Sequence, residues 1–140
     1  ETFRHVSERQ IGEIVALLAG SRSRIFLLGG RFTDPIARYM GAHMTIIRPN
    51  VFHLSGQESN WRDQLVDMGK RDVLLIFDIR RYQDSLLRLA RHVVAGRTSV
   101  PSAWDSSAAL FVVAEALIGE LTRALEAESA ARIREIESLR

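Results

Sequence analysis

Residues 25–40, IFLLGGRFTDPIARYM, constrain the fold of this chain more than any other stretch. Four consecutive apolar residues, Ile25 to Leu28, read as a strand buried on both faces. Gly29-Gly30 reads as a turn and Asp34-Pro35 as the start of a helix, where proline is preorganised and its missing N–H is not needed. A strand, a glycine turn and a helix N-terminus make a site for an anion, because unpaired N–H groups and the positive end of the helix dipole point at one spot. The same pattern also suits a plain tight turn. The phosphate loop ending in Gly-Lys-Ser/Thr is absent, and so is GxGxxG.

The neighbouring segments alternate in the same way. Ser7-Glu8-Arg9-Gln10 forms a capping box, and Ile11, Ile14, Val15, Leu17 and Leu18 give a helical stripe that stops at Gly20. A helix is expected over about residues 35–44, followed by a short β-branched strand, Thr45–Ile47, closed by Pro49, and a loop over Asn50–Gln57. An amphipathic helix is expected at 58–68, with Trp61, Leu65 and Met68 on one face and Gly69 ending it. The clearest strand is Asp72–Asp78, DVLLIFD, of the buried parallel type. A further helix is expected up to about Val93. Asp105 or Ser106 is placed to cap a long apolar helix through Ile118, and the tail after Glu126 keeps Ile133, Ile136 and Leu139 on one face. Strands alternating with helices predict one α/β domain of three layers with a parallel sheet, spanning residues 1–140. In such sheets ligands bind beyond the carboxyl ends of the strands, so Gly29–Thr33 and Asp78–Asp84 line one crevice if their strands are neighbours.

Composition removes several functions. There is no cysteine, which excludes disulfides and thiolate metal sites. The four histidines have no metal-ligand spacing, no GxSxG is present, and no cofactor is expected. The net charge of +2 is a weak basis for a nucleic-acid surface, although all but one of the 19 basic residues are arginine. No apolar run is long enough to cross a membrane, and a cytoplasmic location is expected. The chain starts ETFRHV, without an initiator Met or signal peptide, and reads as a piece of something longer.

The order SERQIGEIVALLAGSRSRIFLLGG, IARYMGAHM, TIIRP, WRDQLVDM, DVLLIFD and SSAALFVVAEALIGEL resembles the sugar-isomerase (SIS) domain of RpiR-type bacterial transcriptional regulators. The resemblance covers most of the chain. It implies a flavodoxin-like α/β/α sandwich, a small anionic sugar derivative such as a sugar phosphate as effector, and a homodimer. DNA would be bound only through an N-terminal helix-turn-helix domain that this chain lacks. The function implied is effector sensing and dimerisation in a regulator, without catalysis. The alternatives are a sugar-phosphate isomerase, for which His53 is the candidate base, and a purely structural dimerisation module.

Three departures from the family pattern stand out. The first loop, usually Gly-x-Gly-x-Ser, is Gly29-Gly30-Arg31-Phe32-Thr33. The second, usually Ser-x-Ser-Gly-x-Thr, is Asp78-Ile79-Arg80-Arg81-Tyr82-Gln83, with every phosphate-holding hydroxyl gone. Arg31, Arg80 and Arg81 offer forked donors for a phosphate or carboxylate. They are also placed to pair with Asp34 and Asp78, or to lie solvated at the surface. Gln83 completes the second loop. Ser106 and Ser107 sit where the family's closing-helix serine sits, and they serve equally as helix caps. Finally, about one strand and its loop are missing near Ala90–Arg91. Either a segment has been left out there or the sheet is truly shorter, and normal Cα spacing across that bond would decide for the shorter sheet.

Overall fold

The computed structural model describes residues 6–55, 58–79, 92, 94, 101 and 106–139, apart from the side chains of residues 58, 59 and 62. The expected helix up to Val93 and the gap near Ala90–Arg91 lie outside these residues. The described elements are α1 (Glu8–Leu18), β1 (Ile25–Gly29), α2 (Asp34–Ile47), β2 (Val51–His53), α3 (Glu58–Leu65), β3 (Val73–Phe77), α4 (Ala108–Ala124) and α5 (Glu126–Ser138). The three strands are parallel in the order β2-β1-β3. In this order β1 is central, and the loops after β1 and β3 flank the point where the strand order reverses.

Side-chain alternation along β1 sorts the helices into layers. Ile25 and Leu27 face α1, α2 and α4 in the larger core, with Leu18, Met40, Met44, Ala114 and Leu121 fully buried around them. Phe26 and Leu28 face the opposite side, where Leu54, Trp61, Leu65 and Met68 cover them. The sheet is therefore sandwiched between helices, and the continuous apolar run of β1 is explained by burial of all five of its residues. Tyr39 on α2 packs against Phe111 of α4, with ring centroids 4.6 Å apart and the planes tilted by 38°. Its phenol bonds Glu115, and that carboxylate raises the phenol's pKa.

Four sequence expectations are corrected. Thr45–Ile47 is the last turn of α2, not a strand. The buried stripe Ile36, Met40, Met44, Ile47 keeps helical period to the end, and this tertiary burial outweighs the weak β preference of Thr and Ile. The Thr45 hydroxyl also bonds back to the Ala42 carbonyl at 2.8 Å. The helix stops because Arg48 precedes Pro49 and takes an extended backbone, φ −148° and ψ 156°. The second strand lies instead within the expected loop, at Val51–His53, after a left-handed turn at Asn50 (φ 60°). The helix expected over 58–68 ends at Leu65, although Trp61, Leu65 and Met68 do share one apolar contact surface. Finally, the Ser7 side chain makes no cap bond at the start of α1.

The N-terminal edge of the sheet is closed by two arginines. Arg24 donates from Nη2 and Nε to the Asp72 carboxylate at 2.6 and 3.1 Å, and Asp72 also accepts the backbone N–H groups of Arg24 and Gly69. These bonds hold the Asp72 carboxyl well below the usual carboxylate range. Arg48, 4% exposed, donates to the carbonyls of Leu18, Ser23 and Pro49. It thereby ties the end of α1, the approach to β1 and the exit from α2 together, and burial lowers its pKa.

Candidate functional site at the carboxyl ends of the strands

β1 and β3 are neighbours, so their trailing loops meet. The register ends at Gly29 beside Phe77, and Gly30 donates its N–H to the Phe77 carbonyl at 3.1 Å. Gly29 is required by close approach: a Cβ there would lie 2.4 Å from Asp34 Cα and 2.5 Å from Asp34 N. Gly30 is less constrained, its nearest neighbours being Thr33 Oγ1 at 3.3 Å and Asp78 Oδ1 at 3.4 Å from an added Cβ. The second contact places the Asp78 carboxylate against the first loop.

The start of α2 is more self-contained than its sequence predicts. The Gly30 carbonyl accepts the N–H groups of Thr33 at 3.1 Å and Asp34 at 2.9 Å. Pro35 has no N–H, and Ile36 and Ala37 both donate to the Thr33 carbonyl. The N–H groups of Thr33, Asp34, Ile36 and Ala37 are thus consumed by the turn and the helix start. Thr33, 1% exposed, spends its hydroxyl on the Phe77 carbonyl at 2.6 Å and accepts the Gly30 N–H at 2.8 Å. It welds the first loop to the end of β3. The exposed tip consists of Arg31 and Phe32, with the Arg31 guanidinium 5.6 Å from the Phe32 ring centroid.

Asp34 does not face the crevice as an uncompensated charge. Its Oδ2 accepts Arg38 Nε at 2.8 Å, and its Oδ1 lies 2.7 Å from His53 Nε2 at the end of β2. The Asp34–Arg38 spacing of four residues was readable in the sequence. The His53 contact was hidden, because it depends on Val51–His53 being a strand.

Arg80, Arg81 and Gln83 lie outside the described residues. Ser106 accepts the Ala108 N–H at 3.2 Å, and Ser107 occupies the cap position of α4 without a side-chain cap bond. Among the described residues, no hydrogen bond joins either serine to the two strand-end loops. No group of three or more His, Asp or Glu among the described residues is placed to hold a metal.

The sequence pattern of the SIS domain matches residues 17–103, well over half of the chain. The chain belongs to the SIS domain family. Its fold is similar to the sugar isomerase domain of an RpiR transcription factor from Sphaerobacter thermophilus, with a TM-score of 0.86 at 17% identity over 98% of this chain and 90% of that one. None of the functionally curated proteins is a significant sequence match. Among the described residues, no helix of this SIS domain is long and apolar enough to cross a membrane.

Proposed function

We propose that this SIS domain is the effector-sensing and dimerising part of an RpiR-type transcriptional regulator, located in the cytoplasm, and that it binds a sugar phosphate or related anionic sugar derivative. The observation that carries this reading is the meeting of the β1 and β3 loops at the reversal of strand order, in a fold that matches a transcription factor's SIS domain over nearly its whole length. Within this site Gly29, Gly30 and Thr33 shape the first loop, while Arg31 and Phe32 present its tip. From the segment after β3, Asp78, Arg80, Arg81 and Gln83 are assigned to the effector, and Ser106 and Ser107 lie at the head of the closing helix. Since the N–H groups of Gly30, Thr33 and Asp34 are already engaged, most of the effector's charge falls to the arginines. Effector binding then acts by linkage: it favours the dimer arrangement with higher affinity and so moves the attached DNA-binding domains.

The test is a thermal-shift screen against sugar phosphates, sugar acids and amino sugars, with R80A/R81A in parallel and light scattering for the dimer. A ligand at a hundred times its Kd adds about 2.7 kcal/mol, a rise of roughly 5–15 °C for a domain of this size. The expected result is a specific rise in a dimer that the double variant loses. A stable dimer unmoved by every ligand would instead support a structural module. The second reading, a sugar-phosphate isomerase, draws on the His53–Asp34 contact, which orients an imidazole as a general base requires. It predicts aldose–ketose turnover abolished by H53N.

A further inference from the structure

A cleft of ≈ 240 Å³ opens beside the edge strand β2, lined by Arg38, Gly41, Ala42, Thr45, Val51 and His53. Gly41, Ala42 and Val51 give it an apolar wall, and Arg38 and His53 give it a polar head. Both polar side chains are held from behind by one carboxylate, Asp34. Asp34 takes only the Nε edge of Arg38. The outward Nη pair has no partner among the described residues, and the side chain is 66% exposed. On His53, Asp34 takes Nε2 and leaves Nδ1 without a partner among the described residues. At the other end, Arg132 of α5 donates to the Thr45 carbonyl at 2.7 Å and brings a second guanidinium to the cleft's border.

We propose that this cleft is a binding site for a small anion of the carboxylate or phosphate class, held on the Nη edge of Arg38 with His53, and that binding takes up a proton at His53. With His53 neutral, Asp34 and Arg38 cancel. With His53 protonated, the head carries one net positive charge and both ring nitrogens donate. The elements that make the main contacts with β2 are α2 and β1. From α2 the charged groups facing His53 are Asp34 and Arg38. β1, IFLLG, contributes none. The planar fork of Arg38 suits a carboxylate or phosphate face, and the apolar wall receives a short carbon skeleton. The cleft lies beside β2, across β1 from β3, and does not rest on the sensor reading.

The probe is inorganic sulfate, whose charge is constant across the histidine range, titrated at constant ionic strength at about pH 5.8 and about pH 8 and followed by the His53 ring and Arg38 Nε–H resonances. Saturable shifts of both groups are expected, with Kd at least about tenfold weaker at the higher pH. R38Q should abolish saturation, R38K should weaken it by losing the fork, and H53N should leave weak binding that no longer depends on pH. Arg38 is largely exposed, so its variants should fold. Non-saturating shifts in the wild-type chain, saturation unchanged in R38Q, or pH dependence retained in H53N would each overturn the proposal. If a variant fails to fold, the wild-type titration at two pH values still decides.

Discussion

The two ends of the parallel sheet are built on opposite principles. At the N-terminal edge two arginines are spent on the protein itself: Arg24 on Asp72, and Arg48 on three carbonyls. At the carboxyl edge, polar side chains reach solvent: Arg31 at the tip of the first loop, Arg38 on α2, and His53 in the lining of a cleft. Between them the buried β1 holds both ends in one rigid frame. The difference teaches where each kind of substitution should act. Changes at the first end should move stability alone. Changes at the second should move binding, except where the backbone itself has no room.

Gly29 is that exception, and it gives the largest expected effect. G29A drives a methyl into the backbone of Asp34, and neither strand nor helix can yield cheaply. A loss of about 3 kcal/mol or more is expected, read from the urea midpoint at unchanged slope. G30A, with contacts of 3.3 Å or more, should lose less than about 1 kcal/mol. Equal stability of the two variants would break the claim that close approach, and not the turn as such, fixes the first glycine.

R48M probes the opposite end. It removes a guanidinium that satisfies one buried and two half-buried carbonyls in three segments, and the loss of those partners should cost about 2–4 kcal/mol. R48K should recover only part, since an ammonium lacks the planar fork that reaches separate acceptors. Ligand affinity at the carboxyl edge should not change in the variants that fold. A change there would show that the two ends communicate through β1.

Much of this division was legible in the sequence. IFLLGG and DVLLIFD announced two strands of a parallel sheet, whose adjacency only the structure supplies, and the pattern of Trp61, Leu65 and Met68 announced an amphipathic helix that covers one face. What escaped was governed by partners distant in the chain. Thr45–Ile47 carries a strand's composition, yet Met40, Met44 and Ile47 are claimed by the core, so the helix runs on and the strand is displaced to Val51–His53. That displacement moves His53 from a loop to a strand end, beside Asp34. Likewise, Gly29-Gly30 suggested open N–H donors. Only the three-dimensional turn shows the Gly30 carbonyl and the Thr33 hydroxyl taking part in bonds within the loop.

The Asp72 carboxylate sharpens the comparison through pH. Its folded pKa lies below the unfolded value of about 3.9. The stabilisation is therefore fully present above that value and is lost as pH falls from about 4 towards the folded pKa. Melting temperatures measured from neutral to acid pH should drop steeply at the low end in the wild-type chain, and D72N should flatten that limb while lowering stability at neutral pH. An unchanged acid limb in D72N would mean that another carboxylate controls acid unfolding.

The smallest effect is expected at the exposed edge. Arg38 and Asp34 form an i,i+4 pair on the first turns of α2, and the arginine is mostly in water. Such pairs are worth about 0.3–0.5 kcal/mol and weaken with salt. A double-mutant cycle of D34N and R38Q should therefore return a coupling of about that size at low ionic strength, and less in high salt. The pair adds little to folding, yet it fixes the Nε of an arginine that lines the cleft. A coupling well above 1 kcal/mol, insensitive to salt, would place Arg38 among the structural arginines and erase the contrast between the two ends. A small coupling, together with loss of sulfate binding in R38Q, would show a side chain kept for what it binds.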